Sequence, residues 1–129
     1  MVIELFTLSD GAFNYNGKLT IVGALTTINL ESLPSRVKTA LAMRMRVYSE
    51  DVGEKHMLIS FIAPNNTKLP VDISVNLDIK PVPEPVSYIT FAAEMQGLPL
   101  ETEGVYKVEI SIDDQIFGVY PFNVKRRKN

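Results

Sequence analysis

His56 is the chain's only imidazole, and no cysteine is present. Thiolate chemistry, disulfides and zinc sites built on cysteine are therefore excluded, as is a His–His metal pair within one chain. A Ser–His–Asp arrangement would need this one histidine beside an activated serine. His56 follows Glu54 and Lys55 in a charged stretch, so the expectation is a solvent-facing or edge-strand histidine without a catalytic role. The acidic groups Glu50-Asp51-Glu54 and Asp113-Asp114 could in principle hold a hard cation. Such a site needs about six to eight oxygens from a fixed loop, and neither group has that pattern. They are expected to be solvated turns, with no metal and no cofactor. No spacing selects a carboxylate pair for glycoside hydrolysis. Gly17 and Gly23 are too far apart, and lack the following Gly-Lys-Ser/Thr, for a phosphate loop. No catalytic residue emerges, and the chain is expected not to be an enzyme.

Four residues stand out as binding candidates. Arg44 and Arg46 share the outward face of one strand with Tyr48, where they could take an acidic ligand. If that strand neighbours the 104–112 strand, as in an immunoglobulin-like sheet, cross-strand pairing with the Lys107 and Glu109 face explains the arginines instead. Phe13 and Tyr15 lie in the stretch Asp10 to Lys18, which mixes aromatics, amides and glycines. Exposed, they could anchor a partner or a sugar ring; the favoured alternative is that they plug the end of the fold. Lys125-Arg126-Arg127-Lys128 could touch nucleic acid or an anionic surface. The run is short and lacks interleaved aromatics, and the chain carries a net charge of -2. A frayed, solvated terminus without nucleic acid is expected.

The elements that must position these residues are strands. Val71, Ile73, Val75, Leu77 and Ile79 alternate with polar neighbours, the period of a half-buried strand. The same alternation runs through 41–47, 89–95 and 106–112. Eight strands are predicted, over 2–8, 18–30, 38–48, 55–63, 71–79, 87–96, 104–112 and 115–124. One helical turn is allowed near 32–38. Asn16-Gly17, Gly53, Asn65-Asn66 and Asp113-Asp114 mark turns. Pro81, Pro83 and Pro85 mark an extended connection that moves the chain between sheets. With 129 residues the chain fits one domain, 1–129. The fold class is all-β, a two-sheet antiparallel immunoglobulin-like sandwich of seven to eight strands.

Gly104-Val105-Tyr106, at the start of the penultimate strand, has the pattern of a tyrosine corner. Tyr106 should be buried, with its hydroxyl bonded to backbone within 97–103. The chain also resembles an uncharacterised bacterial family of short stand-alone proteins. The resemblance is carried by Glu4-Leu5-Phe6-Thr7-Leu8-Ser9-Asp10, Asn16-Gly17-Lys18-Leu19-Thr20-Ile21-Val22-Gly23 and Gly104-Val105-Tyr106. It implies a β-sandwich of unknown function and no catalytic residues.

The N-terminus lacks a basic start, Glu4 interrupts its apolar run, and no apolar stretch reaches the ~20 residues of a membrane span. A cytoplasmic protein without membrane contact is expected. The leading functional expectation is a protein-interaction or assembly module. The alternatives are a small-ligand or carbohydrate binder and, less favoured, a carboxylate-dependent enzyme. Self-association as a homodimer is expected through a strand edge or apolar face, with 71–79 and 38–48 as candidate edges.

Overall fold

The computed structural model describes residues 1–127. Among these residues nine strands form: β1 Val2–Tyr15, β2 Lys18–Leu25, β3 Thr27–Leu30, β4 Ser35–Tyr48, β5 Gly53–Ile62, β6 Lys68–Ile79, β7 Val86–Leu100, β8 Gly104–Ile112 and β9 Gln115–Arg126. They make two sheets. The first, sheet A, has the order β2-β1-β4-β7, and the second, sheet B, the order β3-β9-β8-β5-β6. All pairs are antiparallel except β3 with β9, which is parallel.

The alternation read from the sequence fills the space between the sheets. Leu41, Met43 and Met45 of β4 face Met57, Ile59 and Phe61 of β5 and Val108 and Ile110 of β8, all essentially without solvent exposure. Large side chains on both inner faces bury the area that holds two sheets together. Phe6 stacks on Tyr120, with ring centroids 4.5 Å apart.

Five crossings, β2 to β3, β3 to β4, β4 to β5, β6 to β7 and β7 to β8, make the sandwich. The proline connection carries the chain from β6 to β7, as its composition predicts. The 18–30 strand is divided at Thr26: β2 ends in sheet A and β3 begins in sheet B. The inward apolar positions change phase there, from Leu19, Ile21 and Leu25 to Ile28 and Leu30, but no Gly, Pro, Asn or Asp at 24–28 marks the break. No helical turn forms over 32–38, because Ser35, Arg36 and Val37 are taken into the ladder with Leu100, Pro99 and Leu98. Among the described residues the one helical turn is a 3-10 turn at Ser49–Asp51.

The edges also differ from expectation. The 38–48 strand lies between β1 and β7, so it has no free edge. The 71–79 strand is an edge, as β6, and β7 is one that was not expected. Pro121 sits inside β9 opposite Lys107, outside the stretch 123–126 that pairs with β3. A residue without an N–H is tolerated there.

Tyr106 is buried. Its hydroxyl donates to the Thr102 carbonyl at 2.8 Å and accepts from the Thr102 N–H at 3.3 Å. Phe122 stacks beside the ring at 5.5 Å. The corner ties the β7–β8 connection to the start of β8.

Candidate functional site

The outer face of sheet A carries all four binding candidates, through a hairpin the sequence conceals. β1 does not stop at residue 8. It runs to Tyr15 and turns at Asn16-Gly17, both at positive φ, into β2. In this hairpin Ala12 pairs with Ile21 and Asn14 with Leu19, facing inward. Ala12, Leu19 and Ile21 pack on Ala40 and Ala42 of β4 and Ala92 of β7. Asn14 donates to the Thr90 carbonyl at 3.2 Å and accepts from the Thr90 hydroxyl at 2.9 Å. The hairpin is thus a flap laid across β4 onto β7. Small residues beneath it let the two layers approach.

Gly23 makes the fold-over possible. Its φ of +66° favours glycine, and the Asp10 side chain occupies the place a Cβ would take. Filling the space under the flap should be costly even though it lies on the outside of the sheet. Ala42→Leu is expected to destabilise by about 1–3 kcal/mol, the usual cost of overpacking. Urea unfolding checks this; an unchanged midpoint would mean the flap is not packed there.

The flap's outer side presents Phe13 and Tyr15, 57% and 74% exposed, with Val22 beside them. This corrects the plug expectation. Strand alternation turns these rings away from the sheet once Ala12 and Asn14 face it.

The uncovered part of the face holds the arginines. A register shift between Ile3 and Leu5 leaves Glu4 as the extra residue of a bulge opposite Arg44. Bulges re-aim side chains, and Glu4 Oε1 meets Arg44 Nε at 2.6 Å. The expected compensation by the 104–112 strand does not occur, because β8 lies in the other sheet and β4 is flanked by β1 and β7. Charge pairing therefore accounts for Arg44 with a different partner, and leaves Arg46. Arg46 lies between Val2 on β1 and Tyr88 on β7. Its guanidinium carbon sits 6.0 Å from the Tyr48 ring centre, and Arg44's sits 5.9 Å from that of Tyr88. Among the described residues Arg46 has no carboxylate partner, and its Nε is shielded from solvent without a hydrogen bond. Tyr88, 54% exposed, was missed in the sequence, where it is one aromatic in a strand of ordinary composition. Thr90 connects the two halves: it holds Asn14 of the flap and stands directly opposite Arg44.

Tyr48 also walls a recess of about 280 Å³ at the end of the sandwich, with Val52, Pro81, Val82 and Glu84. Asp51 closes the adjacent turn by accepting the Tyr48 N–H at 2.9 Å and pairing with the Met1 ammonium at 3.0 Å. Burial pushes its carboxyl up, but the Tyr48 amide, the ammonium and Lys55 outweigh that and hold it below the usual carboxylate value.

The other candidates sit on sheet B. His56 is exposed; its Nδ1 faces Asn76 Oδ1 at 3.1 Å and its Nε2 faces Ser74 Oγ at 3.0 Å. The order serine, imidazole, orienting acceptor resembles a nucleophile with its base. However, all three side chains stand exposed on the outer surface of β5 and β6, where water competes for each bond. Asp113 accepts the His56 N–H at 2.9 Å, and both Asp113 and Asp114 have positive φ in the hairpin turn. Among the described residues no three His, Cys, Asp or Glu side chains group to hold a metal. Lys125 and Arg126 are not a frayed tail. They belong to β9, and the Arg126 and Arg127 amides donate to Glu103 and to the Leu30 carbonyl. Lys128 lies outside the described residues. No helix among those residues is long and apolar enough to cross a membrane.

Comparison with known proteins returns the fold and a family. One similar solved structure is the alkylpurine DNA glycosylase AlkC of Pseudomonas fluorescens, bound to DNA containing an abasic site analog. It shows a TM-score of 0.58 at 8% identity, over 96% of this chain and 30% of that one. The present chain thus spans under a third of that protein. Another is an immunoglobulin-like protein from Pseudomonas aeruginosa, with a TM-score of 0.45 at 16% identity, over 96% of this chain and 95% of that one. No curated protein matches. Residues 4–125 match the Family of unknown function (DUF6941), and the chain, an immunoglobulin-like sandwich, belongs to that family.

Proposed function

We propose that this domain is a non-catalytic binding module whose working surface is the outer face of sheet A. The observation that carries the reading is Arg46, a cation with no carboxylate partner among the described residues, set beside exposed Tyr88 on the face whose flap displays Phe13 and Tyr15. Exposed Tyr and Arg on a rigid sheet are the residue types that anchor interfaces. The likeness to a DNA-bound glycosylase rests on the fold alone. A net charge of -2 and arginines set far apart on β4, Arg36 and Arg46, do not make the cationic stripe that tracks a phosphate backbone, so the proposed partner is a protein. The test is selection of a random dodecapeptide display library on the immobilised domain, with the Arg46→Ala/Tyr88→Ala variant as counter-target. Enrichment of binders lost on the variant supports the reading. Binders indifferent to both substitutions, or covalent labelling of Ser74 by a fluorophosphonate, would contradict it.

Self-association belongs to the same proposal. The edge β6 is blunted by Pro70, Asp72 and Asp78, whereas β7 has one charge, Glu94, and no proline before Pro99. A two-fold pairing of β7 edges is the expected form. Light scattering should show a mass that rises towards the dimer across a hundredfold range of concentration. A strictly monomeric mass would confine the module to other partners.

A further inference from the structure

We infer that the Arg46 surface is a subsite for one carboxylate of an extended peptide segment, with an adjoining apolar side chain entering the recess beyond Tyr48. The inference rests on the binding-module reading and adds the chemistry of the partner. Charge counting comes first. Arg44 and Arg46 lie two residues apart on one face, but Glu4 neutralises Arg44 at 2.6 Å. One positive charge remains, at Arg46. A carboxylate, with one negative charge, matches it; a phosphate carries ~-2 and would meet Glu4 with charge to spare. Arg46 Nε is shielded from solvent, so an incoming carboxylate meets the terminal amino groups of the guanidinium, a geometry its planar pair of oxygens suits.

The surroundings select what accompanies that carboxylate. Val2 and Tyr88 flank Arg46 on the two neighbouring strands, and the Tyr48 ring lies 6.0 Å from its guanidinium carbon. The same Tyr48 walls the recess formed with Val52, Pro81 and Val82. Lys80, at its rim, is already paired with Asp78 at 2.6 Å. Glu84, which also lines the recess, repels a second acid there. The cavity is small for a drug-sized molecule, which takes ~300 Å³ or more, yet roomy enough for one aliphatic side chain. The occupant is therefore an acidic residue next to an apolar one, presented by a partner's extended chain. Sugars and free phosphate do not fit this pairing of one charge with one apolar recess.

The test reads the ¹⁵Nε–¹Hε signal of Arg46, assigned by its loss in Arg46→Lys, in the intact domain. The probes are N-acetyl-Glu-Leu-amide and its reversed sequence, the Gln-Leu and Glu-Gly analogues, and inorganic phosphate. The expected result is a saturable shift with a Glu/Leu probe, together with the Tyr48 ring signals, while the Arg44 signal stays in place. The Gln and Gly analogues should each need at least five times the concentration. The inference is overturned if phosphate saturates Arg46 at lower concentration than the Glu/Leu probes. It is also overturned if the Gln analogue binds as well, or if Arg46 only drifts in parallel with exposed Arg126. Library binders that map to this face but carry no acidic residue would sink the inference while leaving the binding-module reading standing. Library binders indifferent to Arg46→Ala/Tyr88→Ala would sink both.

Discussion

Tyr106→Ala should cost about 3–5 kcal/mol of folding stability, the range for deleting a buried aromatic ring, whereas Tyr106→Phe should cost about 1 kcal/mol, a typical net hydrogen bond. The ring is almost wholly buried and stacks on Phe122, and the hydroxyl makes both bonds to Thr102. The alanine variant loses the ring, its packing and the tether of the 101–103 connection. The phenylalanine variant loses the tether alone. A domain of this size has roughly 5–15 kcal/mol in hand, so the first change takes a large share of it. Chemical denaturation of both variants checks the pair. Equal losses would mean that the hydroxyl, and not the ring, dominates; a negligible loss for Tyr106→Ala would remove the corner from the account.

Gly104→Ala should be of similar size although it adds only a methyl group. Gly104 has a φ of +141°, and a Cβ built there lies 2.7 Å from Pro64 Cγ and 3.0 Å from Pro64 Cβ. Backbone strain of this kind costs ~1–3 kcal/mol, and forcing atoms into a packed site costs ~1–3 kcal/mol more. The expected loss is therefore on the order of 3 kcal/mol or above. Pro64 is a rigid ring that cannot swing aside as a long side chain would. A Gly104→Ala/Pro64→Gly double variant relieves the clash but keeps the strain, so it should lose less than the sum of the two single variants. Simple additivity would show that the contact does not exist in solution.

The fold was legible where one face of a strand meets the core and the other meets water. Val71 to Ile79 shows this, and so does the Gly104-Val105-Tyr106 corner, whose residues act locally. The binding surface was less legible because its making is not local. Ala12 and Ala42 are small, so burial on the outer side of sheet A leaves no hydrophobic run to detect. With the flap's inner side packed on alanines and its outer side carrying Phe13 and Val22, residues 10–18 show no clean alternation and resemble a loop. Arg44 and Arg46 were visible as a pair. Which of them is neutralised depends on strand neighbours, and the order β1-β4-β7 cannot be read from one strand's sequence. The bulge at Glu4 decides the matter, and Tyr88 enters only because β7 lies beside β4. The Ser74–His56–Asn76 arrangement was hidden for the same reason: it joins two strands across a register that only the folded chain fixes.

The claim that function resides on the outer face of sheet A is tested most directly by one affinity comparison. A dodecapeptide selected on the wild-type domain is titrated, by fluorescence anisotropy, against Arg46→Ala/Tyr88→Ala and against His56→Ala/Ser74→Ala, both confirmed as folded by their unfolding transitions. The account predicts that the first variant weakens binding at least tenfold, about 1.4 kcal/mol, and that the second leaves it unchanged. A loss confined to the second variant would place the binding surface on sheet B and contradict the account.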